Sequence, residues 1–180
     1  MIRAFLALPL PDVLLHRLTI VQHTLRLARP IPAENLHVTL AFLGEQPEHL
    51  LEEMHLFLTA RPLPMPVLKL EGLGVFGGEN PRNLHARIAP DPRLTALQSR
   101  VTQAARDAGI TLERRKFVPH VTLARFAKGE VSAATLAAGL QTVGALRSDA
   151  HVADEMVLYR STLRADGAVY DAMAEYPLTA

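Results

Sequence analysis

The pentapeptide His-Val-Thr-Leu-Ala occurs twice in this chain, at His37–Ala41 and at His120–Ala124. An internal repeat constrains the fold before any other feature is read, because it calls for two copies of one structural unit. Val, Thr and Leu favour a pleated chain, so each copy reads as a β-strand. In a strand, residues two apart share a face. His37 therefore stands beside Thr39, and His120 beside Thr122. Val38, Leu40, Val121 and Leu123 point the other way, towards a core. Each strand thus presents one imidazole and one hydroxyl on an apolar backing.

A lone His-x-Thr reads most simply as a solvated strand face. Two identical copies point to chemistry. Imidazoles titrate near neutral pH, so a pair can act as one base and one acid. Two hydroxyls can hold two oxygens of a tetrahedral anion. A phosphodiester attacked in line needs those four groups and no metal.

Composition bounds the alternatives. The chain has 180 residues and is 49% hydrophobic, which suits one domain or two small lobes sharing one core. Its net charge of +1 draws no nucleic acid by a global field, so any anion site is a local patch. The absence of cysteine excludes disulfides, thiolate nucleophiles and Cys-based metal sites. The opening stretch Met1–Pro9 is too short and too soon broken by proline for a signal peptide. No apolar run approaches the roughly 20 residues of a membrane span. A cytoplasmic protein without a membrane anchor is expected, and no apolar stripe argues against a monomer.

Along the chain, Ile2 to Leu8 reads as a strand. A helix follows Pro11 and Asp12, with Leu14, Leu18, Val21 and Leu25 at helical spacing. Pro30 and Pro32 lead into the first repeat. Pro47 opens a second helix, with Leu50, Met54 and Leu58 as its inner stripe. His49, Glu53 and His55 lack the spacing of a zinc site, so no metal is expected. Arg61–Pro66 is a stiff connector and the best candidate boundary. Val67 to Phe76 reads as one strand, and the glycines after it as a turn leaving Phe76 at a rim. Asn83 to Ile88 alternates, with His85 and Arg87 on its solvated face. Asp91 to Ala108 is the clearest helix, capped by Gly109. Ser132 to Leu140 is a short helix, Thr142 to Ser148 a candidate strand. Asp154–Thr162 and Val169–Tyr176 form a hairpin around Asp166-Gly167. Hairpins without a sustained βαβ pattern favour an α+β fold with antiparallel sheets.

Two cationic features accompany the second repeat. Arg114, Arg115 and Lys116 run directly into it and make a local anion attractor. Arg125 extends it where the first copy has Phe42. A guanidinium there suits bidentate pairing with phosphate oxygens. Strand parity puts Arg125 on the face opposite His120, unless the strand ends or bulges.

The twin His-x-Thr motifs resemble those of the two-histidine (2H) phosphoesterases. Within that superfamily the sequence is similar to the RNA 2′,3′-cyclic phosphodiesterases, also called 2′-5′ RNA ligases. The resemblance rests on Arg3–Leu8, Asn35–Gly44, Gly74–Phe76 and Arg115–Arg125. It implies a single bilobal domain over 1–180. The two pseudo-symmetric lobes are each an antiparallel sheet with outer helices, around a central cleft. It implies that RNA 2′,3′-cyclic phosphate ends, on tRNA-like chains or oligonucleotides, are opened to 2′-phosphomonoesters. His120 would act as base and His37 as acid, Thr39, Thr122 and Arg125 would hold phosphate, and Phe76 would stack on a base. No cofactor or metal is implied, and reversal would join ends through a 2′-5′ bond. Two readings stand beside this one. One is a 2H phosphodiesterase for small cyclic nucleotides or 2′-5′ oligonucleotides. The other is a non-catalytic RNA-end-binding module.

Overall fold

A computed structural model describes residues 1–165 and 167–180. Asp166 of the expected hairpin turn lies outside the described residues; its neighbour Gly167 opens the last strand with φ at +137°. Strands β1 (Ile2–Pro9), β2 (His37–Gln46), β9 (Glu155–Arg164) and β10 (Gly167–Thr179) build the sheet of one lobe, with the two-residue β3 (Leu63–Pro64) at its edge. Strands β5 (Leu70–Phe76), β6 (Asn83–Ile88) and β7 (His120–Arg125) build the other. The order across both is β3-β10-β9-β1-β2-β7-β6-β5. Neighbours run antiparallel, except β3 beside β10.

The two sheets meet at one point. Between β2 and β7 the register holds a single residue pair, Val38 with Val121. Both valines are fully buried, as are the leucines two residues on, to 3% exposure or less. The apolar backing of each repeat thus packs into one core that runs from Ala4 to Leu178 and serves both lobes.

Four helices complete the α+β fold among the described residues: α1 (Asp12–Thr24), α2 (Glu48–Thr59), α3 (Pro92–Asp107) and α4 (Ala133–Val143). The sequence explains α3 most fully. Asp91 caps it by accepting the Leu94 N–H at 2.7 Å, Pro92 starts its first turn, and Leu94, Leu97, Val101 and Ala104 are buried. Each such leucine or valine stabilises the fold by about 1.5–3 kcal/mol. Gly109 (φ +82°) ends it, the Gly109 and Ile110 N–H groups returning to the carbonyls of Arg106 and Ala105.

Several expectations are corrected. Val67–Phe76 is two strands: β4 (Val67–Leu68) leaves to pair with β8 (His151–Val152), and only Leu70–Phe76 joins the large sheet. Thr142–Ser148 is not a strand, because α4 runs on to Val143 before Gly144 turns the chain. The inner stripe of α2 is Leu51, Met54 and Leu58, with Leu50 only half-buried. The proline connector does mark a crossing, since β3 belongs to the first lobe's sheet and the chain then passes to the second. Among the described residues no helix is long and apolar enough to cross a membrane.

Candidate active site

The Val38–Val121 pair brings the two repeats side by side in opposite directions. This antiparallel pairing sets His37 on the side of Thr122, and His120 on the side of Thr39. All four side chains line one small cavity of about 40 Å³, together with Ile31, Asn35, Phe42, Arg125 and Tyr170. That is room for a group of a few heavy atoms.

Both repeats carry the same irregularity. In β7 the partners step from Thr122 to Ala124 while β6 advances by one residue, so Leu123 is an extra residue. In β2 the partners step from Thr39 to Ala41 while β1 advances by one, so Leu40 is extra. Each bulge breaks the alternation: Leu and Ala in turn are buried, and the next residue returns to the cleft. This corrects the parity expectation for Arg125, which lines the cavity with His120 and Thr122. Phe42 reaches it by the same device. The carbonyl of Leu123 accepts the Ile31 N–H at 2.8 Å and the Gln22 side chain at 2.9 Å. Gln22 is itself buried, and also donates to the Ile31 carbonyl. The carbonyl that the bulge frees from the ladder is therefore matched.

Both histidines are oriented alike. Nδ1 of His37 donates to the Asn35 carbonyl, and Nδ1 of His120 to the Val118 carbonyl, each at 2.7 Å. A carbonyl only accepts, so the neutral tautomer carries its proton on Nδ1. Nε2 is left for proton transfer in both rings. In His37 it lies 3.0 Å from Thr39 Oγ1, which donates to it in that tautomer.

Their surroundings differ. His37 packs on Phe5 at 5.0 Å between ring centroids and on Tyr170 at 5.5 Å. Phe5 in turn stacks on Tyr159 at 5.2 Å. Burial in this wall, then the charges of Arg125 and His120, lowers the His37 pKa to about 4. His120 packs instead on His85 at 5.0 Å and, with its ring nearly perpendicular, on Phe76 at 5.1 Å. His85 is only 3% exposed, so it is not the solvated residue its strand pattern implied. Its Nδ1 bonds Asn83 Oδ1 at 3.1 Å and its ring stacks on Phe76 at 4.2 Å. Burial, then His120 and Arg87, lowers its pKa to about 4. The 2′-5′ RNA ligase superfamily matches residues 11–162 of this sequence, a span holding both repeats.

The chain belongs to the 2′-5′ RNA ligase superfamily. An RNA 2′,3′-cyclic phosphodiesterase of Methanocaldococcus jannaschii is 27% identical over 177 residues, covering 97% of this chain and 99% of that protein. One from Geobacillus stearothermophilus is 34% identical over 149 residues, covering 81% of this chain. This chain spans 46% of that longer relative. Among solved structures, E. coli LigT complexed with 3′-AMP superposes with a TM-score of 0.81 at 25% identity, over 99% of both chains.

Within this superfamily member, the sequence-based candidates separate into two sets. His37, Thr39, His120, Thr122 and Arg125 share the cavity. Phe76, Arg115 and Lys116 are not among its lining residues. Phe76 stands against His85 and His120, with one face covered. Arg115 pairs with Glu113 at 2.7 Å on the open surface. The candidates omitted Ile31, Asn35, Phe42 and Tyr170, which line the cavity, while His85, for which the sequence left a supporting role at the cleft open, packs on His120. His55 bonds the Tyr176 hydroxyl, and no group of three metal-ligating side chains occurs among the described residues.

Proposed function

We propose that this chain hydrolyses RNA 2′,3′-cyclic phosphate ends to 2′-phosphomonoesters, with His37 and His120 as its acid and base. One observation carries the reading: both His-x-Thr pairs line a single anion-sized cavity, each imidazole with Nε2 available. The names of the relatives agree with it.

In this mechanism a water oxygen forms a bond to phosphorus as the bond from phosphorus to the 3′ oxygen breaks. His120 Nε2 takes the water proton, and protonated His37 gives its Nε2 proton to the 3′ oxygen. Thr39, Thr122 and Arg125 hold the non-bridging oxygens, where charge grows in the transition state. A 5′-hydroxyl in place of water gives a 2′-5′ linkage by the same proton movements. The chemistry calls for no metal. Phe42, exposed at the cavity, gives a base a nearer stacking surface than Phe76.

With a pKa of about 4, His37 by itself is a poor proton donor near neutral pH. The phosphate charge of the substrate favours the imidazolium, against burial first and then the repulsion from Arg125 and His120. His37 therefore takes up its proton as the anion enters.

The test is an oligonucleotide with a 2′,3′-cyclic phosphate end, its products resolved as 2′- or 3′-phosphate. The 2′-phosphate is expected, with full activity in chelator. A 3′-phosphate product, or activity lost in chelator and restored by metal, would refute the mechanism.

A further inference from the structure

Strand β6 lays a second polar row on the cleft face, one strand out from the repeat. The register sets Arg87 opposite His120, His85 opposite Thr122 and Asn83 opposite Arg125. The floor under this row is glycine. A Cβ at Gly72 would stand 3.3 Å from Arg87 Nη2, and one at Gly74 would stand 2.5 Å from His85 Nε2. The Gly-x-Gly of β5 thus lets the His-x-Arg of β6 lie flat.

Arg87 is exposed, and its Nη2 donates to the Leu73 carbonyl at 2.7 Å. Among the described residues the arginine–carboxylate pairs are Arg29 with Glu130 and Arg115 with Glu113, so Arg87 has no acidic partner there. A guanidinium has five donors and stays charged at all working pH. This one reaches out over Gly72 of β5, one strand further from the repeat, with most donors uncommitted, while its own backbone stands about 5 Å from that of His120 by ordinary strand spacing. The two-histidine chemistry has no use for it, because Arg125 already serves the reacting phosphate.

The first lobe has no counterpart. Its register sets Pro9 opposite His37 and Ala7 opposite Thr39, where β6 has Arg87 and His85. Of the two strands that flank the repeats, only β6 offers a second anion a cation.

We propose that Arg87 binds a second phosphate, the phosphodiester joining the terminal nucleotide to its 5′ neighbour. The inference rests on the hydrolytic reading above and narrows its substrate class to oligoribonucleotide ends. The strand upstream of the cyclic phosphate leaves over β6.

The test compares two substrates with the same terminal base: a nucleoside 2′,3′-cyclic phosphate, and a dinucleotide ending in it. The wild-type chain is expected to prefer the dinucleotide in kcat/KM. Arg87→Met should lower that preference roughly tenfold, the scale of a charge-assisted contact. Arg87→Gln, which keeps a donor for the Leu73 carbonyl, should do the same. Independently of any variant, a dinucleotide with a neutral methylphosphonate linkage should lose the wild-type preference. A preference unaltered by either variant or by the neutral linkage overturns the proposal. So does a parallel fall on both substrates, which would make Arg87 a strap for β5. No wild-type turnover of either substrate would sink the hydrolytic reading itself, and this one with it.

Discussion

The two lobes present one motif in two settings. Position for position, Pro9, Ala7 and Phe5 of β1 stand beside His37, Thr39 and Phe42, as Arg87, His85 and Asn83 of β6 stand beside His120, Thr122 and Arg125. The first set is apolar, the second polar and cationic. One pentapeptide with the same bulge therefore presents the same His and Thr side chains twice, while the neighbouring strand sets the surroundings of each pair. Around His37 burial in an aromatic wall lowers the pKa of the imidazole to about 4. Around His120 the wall is another imidazole and the rim is arginine. The difference teaches that the site's division of labour lies outside the repeat.

The strongest challenge to this division removes the shared part. Either His37→Ala or His120→Ala should lower kcat about 10²- to 10⁴-fold, the range of an acid–base group. A variant that keeps wild-type turnover would show that the repeats do not act as a pair. The next pair of substitutions separates the unequal corners. Arg125→Met should cost roughly 10- to 100-fold in kcat/KM and lower kcat, because its contact strengthens as charge develops. Phe42→Ala should raise KM about tenfold with kcat nearly kept, as stacking holds ground and transition states alike. Similar kinetic signatures for the two would erase the distinction between corners.

Proton affinity sharpens the comparison further. The kcat/KM profile reports the free enzyme and kcat the bound complex. An anionic substrate favours imidazolium, so the limb assigned to His37 should lie at higher pH in the kcat profile. Coincident limbs would mean that substrate charge does not reach His37. Stability should respond too. His37 and His85 are held neutral when folded, with pKa values of about 4, and take protons near pH 6.5 when unfolded. The unfolded chain then binds more protons between those values, so stability is lost as pH falls from about 6.5 towards 4. His85→Phe, which keeps a ring on Phe76, should make that loss shallower by roughly 2 kcal/mol, read by chemical denaturation at pH 7 and pH 4.5. An unchanged slope would place the titration elsewhere. Smallest of all, Arg115→Ala should leave stability within about 0.5 kcal/mol, since its pair with Glu113 is solvated.

Local signals were readable in advance. The strands β1, β2 and β7 and the capped helix α3 announce themselves by alternation, helical spacing and Asp91-Pro92. The four repeat residues came with them, because a two-residue period puts His and Thr on one face. What escaped depends on the neighbours of a strand rather than on its own letters. Nothing in Leu-Ala marks Leu40 and Leu123 as extra residues; the register against β1 and β6 does, and it returns Phe42 and Arg125 to the cleft. His85 alternates like an exposed residue, yet Gly74 on the next strand gives its ring a place to sink and Phe76 covers it. A glycine opposite an alternating polar residue was the available hint. Arg115 and Lys116 looked important for their nearness in sequence to His120, whereas Arg87, distant in sequence, stands beside it in register.

The single Val38–Val121 register pair has a consequence for how such a molecule can change. It is a calliper joint: the gap between its jaws is measured by main-chain hydrogen bonding, not by the side chains that line them. Resurfacing β1 or β6 would retune what is gripped, and on which side, while the gauge itself keeps its width.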